Sequence, residues 1–187
     1  MRIEVLIQSM SIIYKDNKVV IMKIRKSNLS DFESILKIYD IARQFMVKQG
    51  NPNQWAKNNW PPEDLVRKDI ESGKSYVCVH DDKIVAVFYY DYGYKIEPTY
   101  NVIENGAWIG DDNYGVVHRI ATDGSVKGTG TFCINYAFDQ CKHLRIDTHN
   151  DNISMQKLLE KNNFVKCGII YVGVDKSPRI AFEKVDK

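Results

Sequence analysis

The sequence lacks any apolar run near the roughly 20 residues that a membrane-spanning helix needs, so no span is expected. Paired cysteines are missing too. Cys78, Cys133, Cys141 and Cys167 are scattered without CxxC spacing, which argues for reduced thiols and against a disulfide framework or a zinc site. Neither charge sign is in excess: 26 Lys and Arg stand against 24 Asp and Glu, so composition gives no reason to expect a nucleic-acid partner. Met1 to Ser11 has no continuous apolar core of the export-signal kind, and cytoplasm is the expected compartment. Repeats and low-complexity linkers are absent as well.

What is there is ordinary globular material. At 187 residues and 44% apolar composition the chain can bury one full core, so one domain is expected. Residues 1–21 read as an N-terminal extension, strand-like at Ile3 to Ile7 and Ile12 to Ile21 around a turn at Asp16 and Asn17, as an extra hairpin would be. The main domain is drawn over 22–187. Its first strand, Met22 to Arg25, leads to a helix with a capping box at Ser30 and Glu33 and a stop at Gly50. Phe32, Ile35, Leu36, Tyr39, Ala42, Phe45 and Met46 form the apolar face of that helix. Pro61 and Pro62 open a second helix that Gly73 closes. Strands follow at Tyr76 to His80 and Ile84 to Tyr90, joined by a turn at Asp81 to Lys83. Beyond an aromatic-rich loop the order is strand Val116 to Thr122, helix Thr131 to Gln140, strand Leu144 to Thr148 and helix Ile153 to Lys161. Strands Phe164 to Val172 and Arg179 to Glu183 close the chain.

The informative stretch is His118 to Phe132, a strand, a turn bearing Gly128 and Gly130, and a helix. Glycine lets backbone approach a phosphate, the first helical turn offers unpaired N–H groups, and Lys127 adds charge. A Walker loop is excluded because Thr131 and Phe132, not Lys and Ser or Thr, follow Gly130. A dinucleotide fingerprint is excluded because Cys133 stands where Gly or Ala is required.

Arg119, Ile120, Ala121 and Thr122, followed by Lys127, Gly128, Thr129, Gly130 and Thr131, resemble the central motif of the GNAT superfamily of N-acetyltransferases. Thr148 to Phe164 resembles the next motif of that superfamily, with Asn152 opening a helix that carries Met155, Leu158 and Leu159. The resemblance covers Met22 to Glu183. It implies a mixed α/β fold with a splayed, mostly antiparallel central sheet flanked by helices. It also implies acetyl-CoA as acyl donor: the pantetheine arm pairs along Ile120, Ala121 and Thr122, and the pyrophosphate sits on Val126, Lys127, Gly128, Thr129, Gly130 and Thr131. Asn152 typically reaches the pantetheine arm. No metal is implied. Dimers are common among relatives, which makes a homodimer a candidate state.

Three positions depart from the family pattern. Ser125 stands where Arg or Gln is usual, and Asn163 where glycine is usual. Leu159 replaces the tyrosine that many relatives use as general acid, so that role passes to another group or to water. Tyr171 is the nearest replacement by position. For the base, His118 lies on the strand beside the expected thioester, and a matching histidine serves serotonin N-acetyltransferase; histidine titrates near neutral pH. Alternation places His118, Ile120 and Thr122 on one face. The other reading of His118 is a buried structural histidine. Glu104, Asp111, Asp112, Asp147 and His149 are weaker candidates, and Trp55, Trp60, Tyr100 and Trp108 border the expected acceptor pocket. The expected function is acetyl transfer to a primary amine of a small molecule or peptide, with a non-catalytic acyl-CoA-binding module as the alternative.

Overall fold

The computed structural model describes residues 10–15, 18–173 and 176–186. The strand expected at Ile3 to Ile7 and the turn at Asp16 and Asn17 lie outside them. The described chain forms two compact units. One holds the segments up to Tyr89 together with Arg119–Tyr136; the other holds Tyr90–His118 and the segments from Ala137 onward.

In the first unit, β1 (Met10–Lys15) and β2 (Lys18–Lys26) form an antiparallel hairpin with Met10 opposite Lys23. Strand β2 runs unbroken through Met22, and β1 is the edge strand. Next in order come β3 (Ser75–His80) and β4 (Lys83–Gly93), also antiparallel. Their turn works because Asp81 and Asp82 both take positive φ, 47° and 59°, which matches the twist of a tight hairpin.

Helices α1 (Phe32–Lys48) and α2 (Glu63–Glu71) supply the rest of this core. The capping box is not Ser30 and Glu33. Asn28 accepts the Ser30 amide and Asp31 accepts the Asn28 amide, both at 2.9 Å, ahead of a short 3-10 turn at Leu29–Asp31. Arg25 fixes that position with two bonds to Asp31 of 2.7 and 2.8 Å. Phe32, Ile35, Ile38, Tyr39 and Ala42 face the core with Trp55, Val66, Ile70, Val77, Val87 and Ala121. Phe45, expected there, is exposed, because the helical stripe continues through Met46 instead.

The second unit contains β5 (Tyr114–Thr122) up to His118, β6 (His143–Thr148), α4 (Ile153–Lys161), β7 (Val165–Val172) and β8 (Ser177–Val185), with strand order β5-β6-β8-β7. Strands β6, β8 and β7 pair antiparallel; β5 and β6 are parallel. That parallel ladder has only two register pairs, Gly115↔Leu144 and Val116↔Arg145, so the strands part soon after they meet. Helix α3 (Thr129–Cys141) follows β5. The fold is thus mixed α/β, a mostly antiparallel sheet flanked by helices.

A buried charge centre ties the loop before β5 to the strands. Glu183 is fully buried and accepts from His143 Nε2 at 2.5 Å, from Arg145 Nε at 2.8 Å and from the Ile109 amide. Arg145 also donates to the Gly110 carbonyl and is held between the Trp108 and Tyr114 rings, at 4.3 and 4.1 Å. Burial alone would raise the Glu183 carboxyl, but these donors hold it below the ordinary range. All four cysteines are free, and only Cys141 is partly exposed. Among the described residues no helix is long and apolar enough to cross a membrane.

Candidate functional site

Where β5 ends, the chain turns sharply within the first unit. The Asp123 amide donates to the Val85 carbonyl at 3.0 Å, and the Asp123 carboxylate accepts the Ser125 amide and hydroxyl at 2.9 and 2.7 Å. Ser125 therefore serves the turn. Gly124 and Gly128 have φ of +75° and +93°, a region that L side chains rarely adopt. Helix α3 then starts at Thr129, with the Phe132 amide bonded to the Gly128 carbonyl at 3.0 Å. The Thr129 hydroxyl is turned inward, donating to the Val126 carbonyl at 2.7 Å and lying 3.5 Å from the Met22 sulfur. Thr129 thus offers a ligand its backbone only. Lys127 and Gly128 are exposed, while Val126, Gly130 and Thr131 are half-buried. An exposed glycine turn opening a 13-residue helix beside a lysine fits a phosphate.

Strand β5 carries a second irregularity. Arg119 has φ +52°, a left-handed residue inside a strand. Regular alternation stops there, so the inference that His118, Ile120 and Thr122 share one face does not hold. Three contacts hold Arg119 in place: Asp69 receives two guanidinium bonds of 2.8 and 3.0 Å, the Tyr89 ring lies 4.5 Å below the guanidinium, and Tyr39 donates its hydroxyl to the Arg119 carbonyl at 3.2 Å. Beyond it, Ala121 is buried, and Ile120 and Thr122 are half-buried.

In the second unit His118 sits in a polar cluster. Its Nε2 is 3.0 Å from Glu97 Oε2, and its Nδ1 is 3.9 Å from Asp147 Oδ1. Glu97 caps a short 3-10 helix, Pro98–Asn101, where Oε1 accepts the Thr99 amide at 3.2 Å and the Thr99 hydroxyl at 2.7 Å. Burial pushes the Glu97 carboxyl up, but the bonds from His118 and Thr99 outweigh it and hold the group at about 2. Asp147 accepts the Tyr100 hydroxyl at 2.7 Å and faces Arg179 Nε at 4.0 Å. Tyr100 is buried, and its ring meets His118 edge-on at 6.2 Å. Burial and the neighbouring Asp147 charge keep the Tyr100 phenol protonated far above its usual range. A histidine bonded to an ionised carboxylate can take and release a proton.

The remaining candidates have the following partners. Tyr171 is on β7, where its hydroxyl donates to Glu104 Oε2 at 3.0 Å, and that bond raises the phenol pKa. Asn152 caps α4, accepting the Met155 amide at 3.1 Å. His149 accepts the Asp151 amide at 3.1 Å. Trp55 is buried against Tyr39, Trp60 is exposed, and Trp108 donates to the Tyr100 carbonyl at 2.8 Å. Glu97 and Arg179 were passed over in the sequence reading. The Glu-Pro-Thr run at Glu97 to Thr99, a cap followed by proline, was the available clue to the first.

No family model and no curated protein matches the sequence. Solved structures do match the fold. A GNAT-family acetyltransferase from Streptococcus agalactiae superposes with a TM-score of 0.80 at 24% identity, over 95% of this chain and 99% of that one. One from Listeria monocytogenes gives 0.65 at 12% identity, over 93% and 99%. An agmatine N-acetyltransferase gives 0.54 at 10% identity, over 87% and 98%. The chain therefore has the fold of the GNAT acetyltransferases.

Proposed function

We propose that this chain, built on the GNAT fold, is an acetyl-CoA-dependent N-acetyltransferase acting on a primary amine of a small molecule or peptide. The observation that carries the reading is the strand, exposed glycine turn and helix over Ile120 to Thr131, which fits a phosphate, on a fold shared with acetyltransferases. An amine acceptor is in keeping with the agmatine N-acetyltransferase of that fold.

The backbone amides of Val126 to Thr131 would hold the pyrophosphate, with Lys127 adding charge. Ile120 to Thr122 would hold the pantetheine arm, with Asn152 as a further contact. Bound acetyl-CoA supplies the acyl carbon, to which the amine nitrogen bonds as the carbon–sulfur bond breaks; the thiolate leaves, taking a proton, and the nitrogen gives up its second proton to leave a neutral amide. His118 acts as general base, removing a proton from the acceptor ammonium so that its lone pair can attack. Tyr171 is the phenol nearest by sequence for protonating the thiolate. The expected compartment is the cytoplasm, without membrane or nucleic-acid partners.

An amine panel with acetyl-CoA, read as free thiol released, tests this, alongside calorimetric titration of coenzyme A. Turnover with one amine class supports the enzyme. Binding without turnover favours the acyl-CoA-binding module, and no affinity for either ligand sinks the proposal. His118→Ala should cut turnover by roughly 10²-fold while coenzyme A affinity holds.

A further inference from the structure

Resting on the reading of His118 as the base, we propose that Glu97 is its positioning residue. The Glu97 carboxylate accepts Nε2–H, fixes the ring proton on Nε2 and keeps the basic lone pair on Nδ1. The tautomer of a histidine is set by the bond its other nitrogen makes, and the 3.0 Å contact with Glu97 is the short one.

The two oxygens of Glu97 divide the work. Oε1 is committed to the amide and hydroxyl of Thr99, at 3.2 and 2.7 Å, which stops the carboxylate from rotating. Oε2 is thereby aimed at His118. The proline after Glu97 fixes the cap backbone from which that carboxylate projects.

On the Nδ1 side Asp147 is placed differently. Its Oδ1 is 3.9 Å from Nδ1, beyond hydrogen-bond reach, and already takes the Tyr100 hydroxyl at 2.7 Å. Its Oδ2 faces Arg179. Glu97, Asp147 and Tyr100 lie beside the ring, and Arg179 faces Asp147. Of the two carboxylates only Glu97 is placed to hold the proton of the neutral imidazole. A carboxyl held at about 2 is ionised throughout the neutral range, so it accepts a bond there and is not itself a base. When Nδ1 takes the acceptor proton the ring becomes an imidazolium, and Glu97 faces that charge without giving up a proton.

The test has a spectroscopic arm and a kinetic arm. Nitrogen-15 spectra of the four imidazoles, with the His118 signal identified by its loss in His118→Gln, should show a neutral ring purely in the Nε2–H form. Glu97→Ala should turn that signal into a tautomer mixture. Glu97→Gln, which keeps the size and an acceptor atom, should lower turnover about tenfold with coenzyme A affinity unchanged, and Glu97→Asp should restore part of it. On a His118→Ala background Glu97→Gln should cost nothing more, because the glutamate acts through the ring. An Nδ1–H ring in the unaltered protein, or a full additional loss on that background, overturns the proposal. Normal turnover in His118→Ala alone instead overturns the base reading, and this role with it.

Discussion

Asp69 holds Arg119 through two guanidinium bonds of 2.8 and 3.0 Å, and Arg119 is the one left-handed residue within β5. A left-handed non-glycine residue costs about 1–2 kcal/mol, so a helix of the first unit, α2, offsets a bend in a strand. Both partners are largely buried. Removing one charge of such a pair costs about 3 kcal/mol, because the other is left without its counterion. Asp69→Asn should therefore lower unfolding stability by about that amount in urea titration. If Arg119 shapes the backbone that would meet the pantetheine arm, coenzyme A affinity should fall as well. A variant as stable as the unaltered protein would show that Arg119 keeps its conformation without Asp69.

Gly128 tests the phosphate turn. Its φ of +93° disfavours any Cβ, and a branched side chain would also crowd the exposed face of the turn. Gly128→Val should weaken coenzyme A binding about tenfold or more, near 1.4 kcal/mol, read by calorimetry on a variant whose circular dichroism is unchanged. Full affinity in that folded variant would move the phosphate site elsewhere.

Glu183 tests the buried charge centre. Glu183→Gln keeps the volume but removes the charge facing Arg145 and His143, so unfolding stability should drop by about 3 kcal/mol. A loss below about 1 kcal/mol would mean that water or another group reaches Arg145.

Glu97 sets an acid limit. Its carboxyl is held at about 2 against an ordinary 4.5, and such a group stabilises the fold above its unfolded pKa. That contribution fades as pH falls from about 4.5 towards about 2. Glu97→Gln should therefore lose less stability across that window than the unaltered protein, measured by urea midpoints at several pH values. Identical slopes would mean that Asp31 and Glu183, also held low, account for all of it.

The parts legible in the sequence were those whose causes are local. The β3–β4 turn follows from two adjacent aspartates, α4 from the Asn152 cap, and the glycine turn from Gly128 itself. Errors arose where a distant partner decides. Arg25, on β2, fixes the cap at Asp31, which the local Ser30 and Glu33 pattern does not convey. Nothing in an arginine announces positive φ; Asp69, fifty residues away in the chain, is part of the reason Arg119 has it. His118 was visible as a residue type, but its partner Glu97 stands 21 positions earlier as a cap ahead of a proline, where no periodicity points.

The loop between β4 and β5 is tied to β7 by a two-way bridge. The Glu104 amide donates to the Ile169 carbonyl and the Ile169 amide to the Glu104 carbonyl, each at 2.8 Å. A Cβ on Gly106 would stand 1.9 Å from the Cys167 carbonyl, so the backbones there are in direct contact. In exchange kinetics this loop should therefore behave as part of the closing hairpin. The Glu104 amide, although its side chain is exposed, should exchange with deuterium as slowly as amides of β7 and β8, because both open in one cooperative event. Gly106→Ala should speed exchange at Glu104 and Ile169 together, and fast exchange at Glu104 alone would show that the loop opens by itself.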